Sequence, residues 1–209
     1  MQYRTHRFGG MCAGAIASSY IYGIQYANMF NPGGLSTDAM IGTGVLVAAG
    51  AIGSCLPDID HSNSRISRDN PVLSIFTQLF LAISRAIISF ILLFCFWISK
   101  KRKNEIISGT EHRGIFHTLL MVFLIYLLFG FIGQFIPIYG ELIQIGITVG
   151  YLSHILVDML TKGGVMLLYP VVTFKFHYPF IRLTTGKHEL IATGIILLVT
   201  IVSIFLIGT

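Results

Sequence analysis

Residues 141–160, ELIQIGITVGYLSHILVDML, form a twenty-residue apolar stretch that carries one histidine and one aspartate four positions apart. At about 1.5 Å per residue the stretch spans about 30 Å as an α-helix, the thickness of a bilayer's hydrocarbon core. His154 and Asp158 then project from the same helix face. An ionisable pair at that depth is costly without a partner. The sequence leaves two partners open: a His–Asp hydrogen bond that pins helices together, or a bound cation.

The rest of the chain is built for the same solvent. Of its 209 residues, 54% are hydrophobic and 11% charged, with a mean hydropathy of +0.78, against about 25% charged in an average soluble domain. A helical crossing uses about 20 residues, so about six crossings at most would fit. Residues 8–27 and 39–56 are rich in the Gly and Ala that let membrane helices approach closely. Residues 115–136 and 141–160 read as two further spans joined by the turn Pro137-Ile138-Tyr139-Gly140, and residues 189–207 as a last one. The N-terminus runs into the first span without a clear small-residue cleavage site, so it reads as a retained helix.

Residues 71–99 are apolar but interrupted by Arg85, and an arginine at the bilayer centre costs about 2.5 to 3.5 kcal/mol on insertion scales. The Lys and Arg residues lie in the N-terminus, in 57–113 and in 161–188, while the loops 28–38 and 137–140 have none. An interfacial or re-entrant segment over 71–103, turning near Arg85, keeps all of them on the cytoplasmic side. The expectation is an all-α polytopic membrane helical bundle within one domain, 1–209. It has about five transmembrane helices, that interfacial or re-entrant segment and a cytoplasmic-side loop at 161–188.

The net charge of +5 belongs to topology and lipid headgroups, because no basic stripe interleaves with aromatics as a nucleic-acid surface would require. Cys12, Cys55 and Cys95 lie in apolar segments without CxxC spacing. They read as buried thiols, not as disulfides or a zinc knuckle.

Under this topology His6, Asp58, Asp60, His61, His112, His117, His154 and Asp158 all fall at or just inside the cytoplasmic ends of helices. Asp58 and Asp60 alternate with Ile59, and His61 follows, so one short segment offers carboxylate oxygens and an imidazole to a divalent ion. Taken alone, the same segment also reads as a polar loop or helix cap. His112 and His117 bracket Arg113-Gly114-Ile115-Phe116. His117 adjoins an apolar run and is the better ligand candidate of the two, while Arg113 is suited to a phosphate. His177 and His188 lie among aromatic or basic residues and read as interfacial. Glu189 reads as a favourable charge at the start of the last helix.

Three blocks, LPDIDH (56–61), HRGIFHT (112–118) and GYLSHILVDMLTKGGVMLLYP (150–170), resemble the LexA-regulated, inner-membrane metal-dependent hydrolases typified by YdjM. The resemblance runs from the His6 segment to about Pro170 and implies a site made of Asp58, Asp60, His61, His112, Arg113, His117, His154 and Asp158. The chain departs from that pattern in its long apolar stretch at 71–99. A weaker likeness is to zinc-dependent phospholipases C, whose HxxxD pair and early His-plus-PDI segment look like His154/Asp158, His6 and Pro57-Asp58-Ile59.

These readings predict a multi-pass inner-membrane hydrolase with a divalent metal, zinc foremost and manganese or iron as alternatives. Its ligands would come from His6, Asp58, Asp60, His61, His112, His117, His154 and Asp158. Asp60 would serve as general base or bridging ligand, and Arg113 would steady developing negative charge. The partners expected are membrane lipids and a phosphoester, or other ester, of a lipid or lipid-linked substrate, with no nucleic acid. A metal or ion transporter and a scaffold with a structural metal site are the competing expectations.

Overall fold

The computed structural model describes residues 2–27, 36–60, 68–69, 71–94, 99–108, 114–184 and 186–208. The long apolar segments form α1 (Tyr3–Ala27), α2 (Thr37–Gly53), α3 (Pro71–Phe94), α5 (Leu119–Gly133), α6 (Gly140–Met159) and α7 (Glu189–Gly208). The basic run forms a short helix, α4 (Lys100–Ser108), and two 3-10 turns, Pro57–Asp60 and Ile115–His117, follow α2 and precede α5. Among the described residues there is no strand, only two isolated bridges, Thr161 with Leu183 and Val165 with Phe176. They organise the irregular segment between α6 and α7. Tyr169 ties this segment to α4 by donating to the Ile106 carbonyl at 2.8 Å, and burial pushes its phenol pKa up.

Helix ends follow local chemistry. Ser36 caps α2, its hydroxyl accepting from the Ala39 N–H at 3.2 Å, and Thr118 caps α5 in the same way through Met121 at 3.1 Å. Each cap satisfies a backbone donor that has no intrahelical partner.

Among the described residues, three helical stretches are long and apolar enough to cross a bilayer: Thr37–Ile59, Gly140–Met159 and Glu189–Ile207. The last is only 11% buried within the protein, and no residue of α5 is buried. Leu120, Phe123, Leu127, Phe131, Leu198 and Phe205 point outward. Apolar surface of this extent belongs in lipid.

About five crossings were expected, and among the described residues three helices meet the requirement. The expected span at 8–27 is helical but kinked at Tyr22, and Ser18, Ser19 and Gln25 within it lower its hydropathy. The expected span at 115–136 spends its first residues on the 3-10 turn, leaving fifteen residues in α5, about 22 Å of helix against a core of about 30 Å. The hairpin expected near Arg85 is also corrected. α3 runs unbroken through Arg85, because no Gly or Pro interrupts residues 72–94.

Three glycines set the separation of the central helices. Gly10 of α1, Gly50 of α2 and Gly150 of α6 meet backbone to backbone. A Cβ on Gly10 or on Gly150 would collide with the Gly50 carbonyl, and one on Gly50 would collide with the Gly10 carbonyl. Small residues at such crossings bring helix axes closer than side chains would permit. Gly10 lies four residues after His6, Gly50 four before Ser54, and Gly150 four before His154. The crossing therefore sits one helical turn from the residues that gather at the end of the bundle.

Candidate metal centre

Four chain segments deliver side chains to one place, each from the same end of the bundle. His6 stands in the first turns of α1, Asp58 in the 3-10 turn after α2, His117 in the 3-10 turn before α5, and His154 and Asp158 near the C-terminal end of α6. Antiparallel packing turns these ends toward one another. His6, His117 and His154 are 2%, 0% and 0% exposed, and Asp158 is 1% exposed. The Asp58 side chain is 21% exposed and forms the open side of the cluster.

The His154 ring has a fixed tautomer. Its Nδ1–H donates to the Ser54 carbonyl at 2.6 Å, and a carbonyl only accepts, so the proton resides on Nδ1 and the Nε2 lone pair faces inward. Nε2 has no hydrogen-bond partner. It lies 3.6 Å from Asp58 Oδ1 and 3.8 Å from Asp158 Oδ2. His6 Nε2 is 3.4 Å from Asp158 Oδ1, and His117 Nε2 is 3.6 Å from Asp158 Oδ2.

These separations exceed those of hydrogen bonds, about 2.7 to 3.2 Å. They match the edges of a coordination polyhedron: ligand atoms about 2.0 to 2.2 Å from an ion in tetrahedral array stand about 3.3 to 3.6 Å apart. A carbonyl-anchored imidazole with an inward, unpartnered nitrogen is the arrangement that second-shell contacts give to metal-binding histidines. Two donor groups fit an ion, His6–Asp58–His154 and His117–His154–Asp158. They share His154, whose other nitrogen is committed to Ser54, so an ion at either group would take the same His154 Nε2. Either group, His6–Asp58–His154 or His117–His154–Asp158, offers three donors to a divalent ion.

Of the residues expected at the site, these five converge. Asp60 closes the same 3-10 turn as Asp58, but its side chain is outside the described residues. His61, His112 and Arg113 also lie outside them. His177 and His188 do not join the cluster. His177 Nδ1 faces the Thr161 carbonyl at 3.3 Å, and His188 Nδ1 accepts from the Thr184 N–H at 3.1 Å.

Comparison with known proteins places the chain in a family. The chain matches the family described as YdjM inner membrane protein over residues 1–208. The chain belongs to the YdjM family. A relative in this range is the protein named Uncharacterized protein YvsG of Bacillus subtilis (strain 168), 27% identical over 199 residues that cover 94% of this chain and 91% of that protein. Inner membrane protein YdjM of Escherichia coli (strain K12) is 43% identical over 88 residues, 41% of each chain, and YdjM of Shigella flexneri matches equally. No solved structure matches. Membership in the YdjM family and the apolar helices make this a membrane protein.

Sequence reasoning missed three supports of the centre. Tyr151 donates its hydroxyl to the Phe116 carbonyl at 2.5 Å, bracing the turn that carries His117. The Ser54 carbonyl orients His154. Glu189, expected only as a terminal charge, accepts from the Thr5 hydroxyl, from the Gln2 N–H at 3.1 Å and from the Gly186 N–H at 2.9 Å, clamping the start of α1 beside His6. The four-residue spacing of Gly10, Gly50 and Gly150 from the site residues was the one signal open to detection.

Proposed function

We propose that this YdjM-family member is a membrane-embedded, metal-dependent hydrolase acting on a phosphoester, or another ester, of a lipid or lipid-linked substrate. The observation that carries the reading is the inward, unpartnered Nε2 of His154, set between two carboxylates at ligand-to-ligand distances. His6, Asp58, His117, His154 and Asp158 would hold the ion, zinc foremost by its imidazole-and-carboxylate donors, with manganese or iron as alternatives. Such an ion supplies Lewis acidity, acidifying water and polarising an ester oxygen.

The chain's own groups supply the rest. Ser54 holds the His154 tautomer, and Asp58 at the open side borders the approach of substrate. Asp60, on the same turn, is assigned as acceptor of the proton that the attacking water loses as its oxygen bonds to phosphorus. Arg113 is assigned to counter the charge that builds on the phosphoryl group before the ester bond breaks and the leaving oxygen is protonated. His61 and His112 are retained as further candidate ligands.

Two alternatives are less well supported. Transporter sites sit near the bilayer midplane, whereas these donors cluster at helix ends. Structural zinc sites are closed by four ligands, whereas five donors converge here and one is partly open. For topology, we propose that α1 and α5 also cross, giving five passes with the N-terminus and the metal centre on the cytoplasmic face, as the distribution of Lys and Arg favours.

The test is hydrolysis of a panel of lipid phosphoesters and carboxylic esters by the purified, metal-loaded protein beside its His154→Ala variant. Release of product by the wild type alone supports the reading. Equal rates, or no turnover of any member by metal-replete protein, contradict it.

A further inference from the structure

Next to the centre, on the outer side of the α1–α2 contact, is a groove of about 570 Å³ lined by Tyr3, Arg7, Met11, Gly44, Ala48 and Ile52 among others, with Asp69 at its edge. That volume is within the range of ligand pockets, about 300 to 1,000 Å³. Its two ends differ in chemistry. Tyr3, Arg7 and Asp69 make a polar mouth, and Arg7 directly follows His6 in the chain while Cys55, also on the wall, lies three residues before Asp58. From there the walls are apolar.

The groove exists because α2 is small on this face. Gly44 and Ala48 are exposed, and a Cβ on Gly44 would meet nothing within 4 Å. Tyr3 to Met11 and Ile52 back to Gly44 are each eight residues, about 12 Å of helix. That is most of one leaflet of a hydrocarbon core about 30 Å thick. A trough of this depth, charged at the membrane surface and apolar below, has the shape and polarity of one lipid.

We propose that the groove seats a phospholipid with a zwitterionic amino headgroup, its acyl chain along Gly44, Ala48 and Ile52 and its phosphate at the Arg7 guanidinium. Arg suits a phosphate through paired N–H donors. The Asp69 carboxylate at the same mouth disfavours a second negative charge and complements an ammonium group. A phosphate so placed is held by the residue that directly follows His6 in the chain. Its role as substrate rests on the hydrolase reading, while occupancy of the groove does not.

The experiment is native mass spectrometry of the full-length protein in detergent, titrated with phosphatidylethanolamine, with phosphatidylglycerol and, separately, with inorganic phosphate. The variants are Gly44→Leu, Ala48→Phe, Arg7→Gln and His154→Ala. Wild type is expected to retain one phosphatidylethanolamine in preference to phosphatidylglycerol. Gly44→Leu, which grows into open space, and Ala48→Phe should each weaken retention about ten- to a hundredfold while keeping the wild-type metal content, which reports an intact fold. Arg7→Gln should weaken it about tenfold, and His154→Ala should leave it unchanged.

Retention undiminished in both groove variants would overturn the proposal. So would equal or tighter binding of phosphatidylglycerol, or inorganic phosphate binding as tightly as lipid. Retention as predicted without any lipid hydrolysis would count against the hydrolase reading alone.

Discussion

The imidazole of His6 lies flat on that of His154, with ring centroids 3.7 Å apart and planes inclined by 13°. The Asp158 carboxylate spans the edges of both rings, 3.4 Å from His6 Nε2 and 3.8 Å from His154 Nε2. Two rings from different helices, held parallel and addressed by one carboxylate, present their nitrogens as neighbouring corners of a single site.

Acid should therefore empty the centre. Protons compete with the ion for imidazole nitrogens and carboxylate oxygens, so metal affinity falls as pH is lowered and recovers as it is raised. Zinc binding measured by competition with a chromophoric chelator between pH 8 and pH 5.5 should weaken monotonically. A flat profile would mean that the histidines are not ligands.

Asp158→Asn should remove metal binding more completely than any single histidine variant, because Asp158 faces His6, His117 and His154 together. The shape is preserved and the charge lost, so retained metal in this variant would exclude Asp158 as a ligand.

Chelation should destabilise the protein. With metal at about 100 times its dissociation constant, linkage stabilises the fold by about 2.7 kcal/mol, or about 5 to 10 °C for a chain of this length. A thermal scan in detergent with and without a chelator measures this. No shift would deny that folding and metal binding are coupled.

Gly50→Ala should lower thermal stability by about 1 to 3 kcal/mol, through overpacking, and should also reduce metal content. Its Cβ would force α1 from α2 one turn from the site. Gly44→Ala, on the same helix, meets open space and serves as the neutral control. Equal melting temperatures for the two variants would contradict the account of the crossing.

Tyr151→Phe removes the hydroxyl that braces Phe116. A loss of about 1 kcal/mol in stability is expected, with metal affinity weakened but not abolished because His117 keeps its ring. Complete metal loss would mean that Tyr151 does more than brace the turn.

Much of this was legible in the sequence. The spacing of His154 and Asp158 on an apolar helix, with the His6 and Asp58 segments beside it, was the sequence signal for four of the five converging residues. His117 followed from its place beside an apolar run. What composition could not give was how polar residues distribute within helices. α1 kinks at Tyr22, and within its apolar stretch Ser18, Ser19 and Gln25 lower the hydropathy and so reduce its fitness as a span. Arg85 was read as a turn because of its charge, while the local sequence, free of Gly and Pro, continues as helix. The contacts that orient the ligands, Ser54 with His154 and Tyr151 with Phe116, join residues far apart in the chain and leave no local pattern.

Metal content by elemental mass spectrometry of the detergent-purified protein, beside His154→Ala and Asp158→Asn, tests the central claim most directly. The account predicts about one zinc-class ion per chain in the wild type, lost in both variants. Wild-type protein that stays free of metal after reconstitution with zinc, manganese and iron would contradict it, leaving the buried histidines and aspartates as a contact between helices.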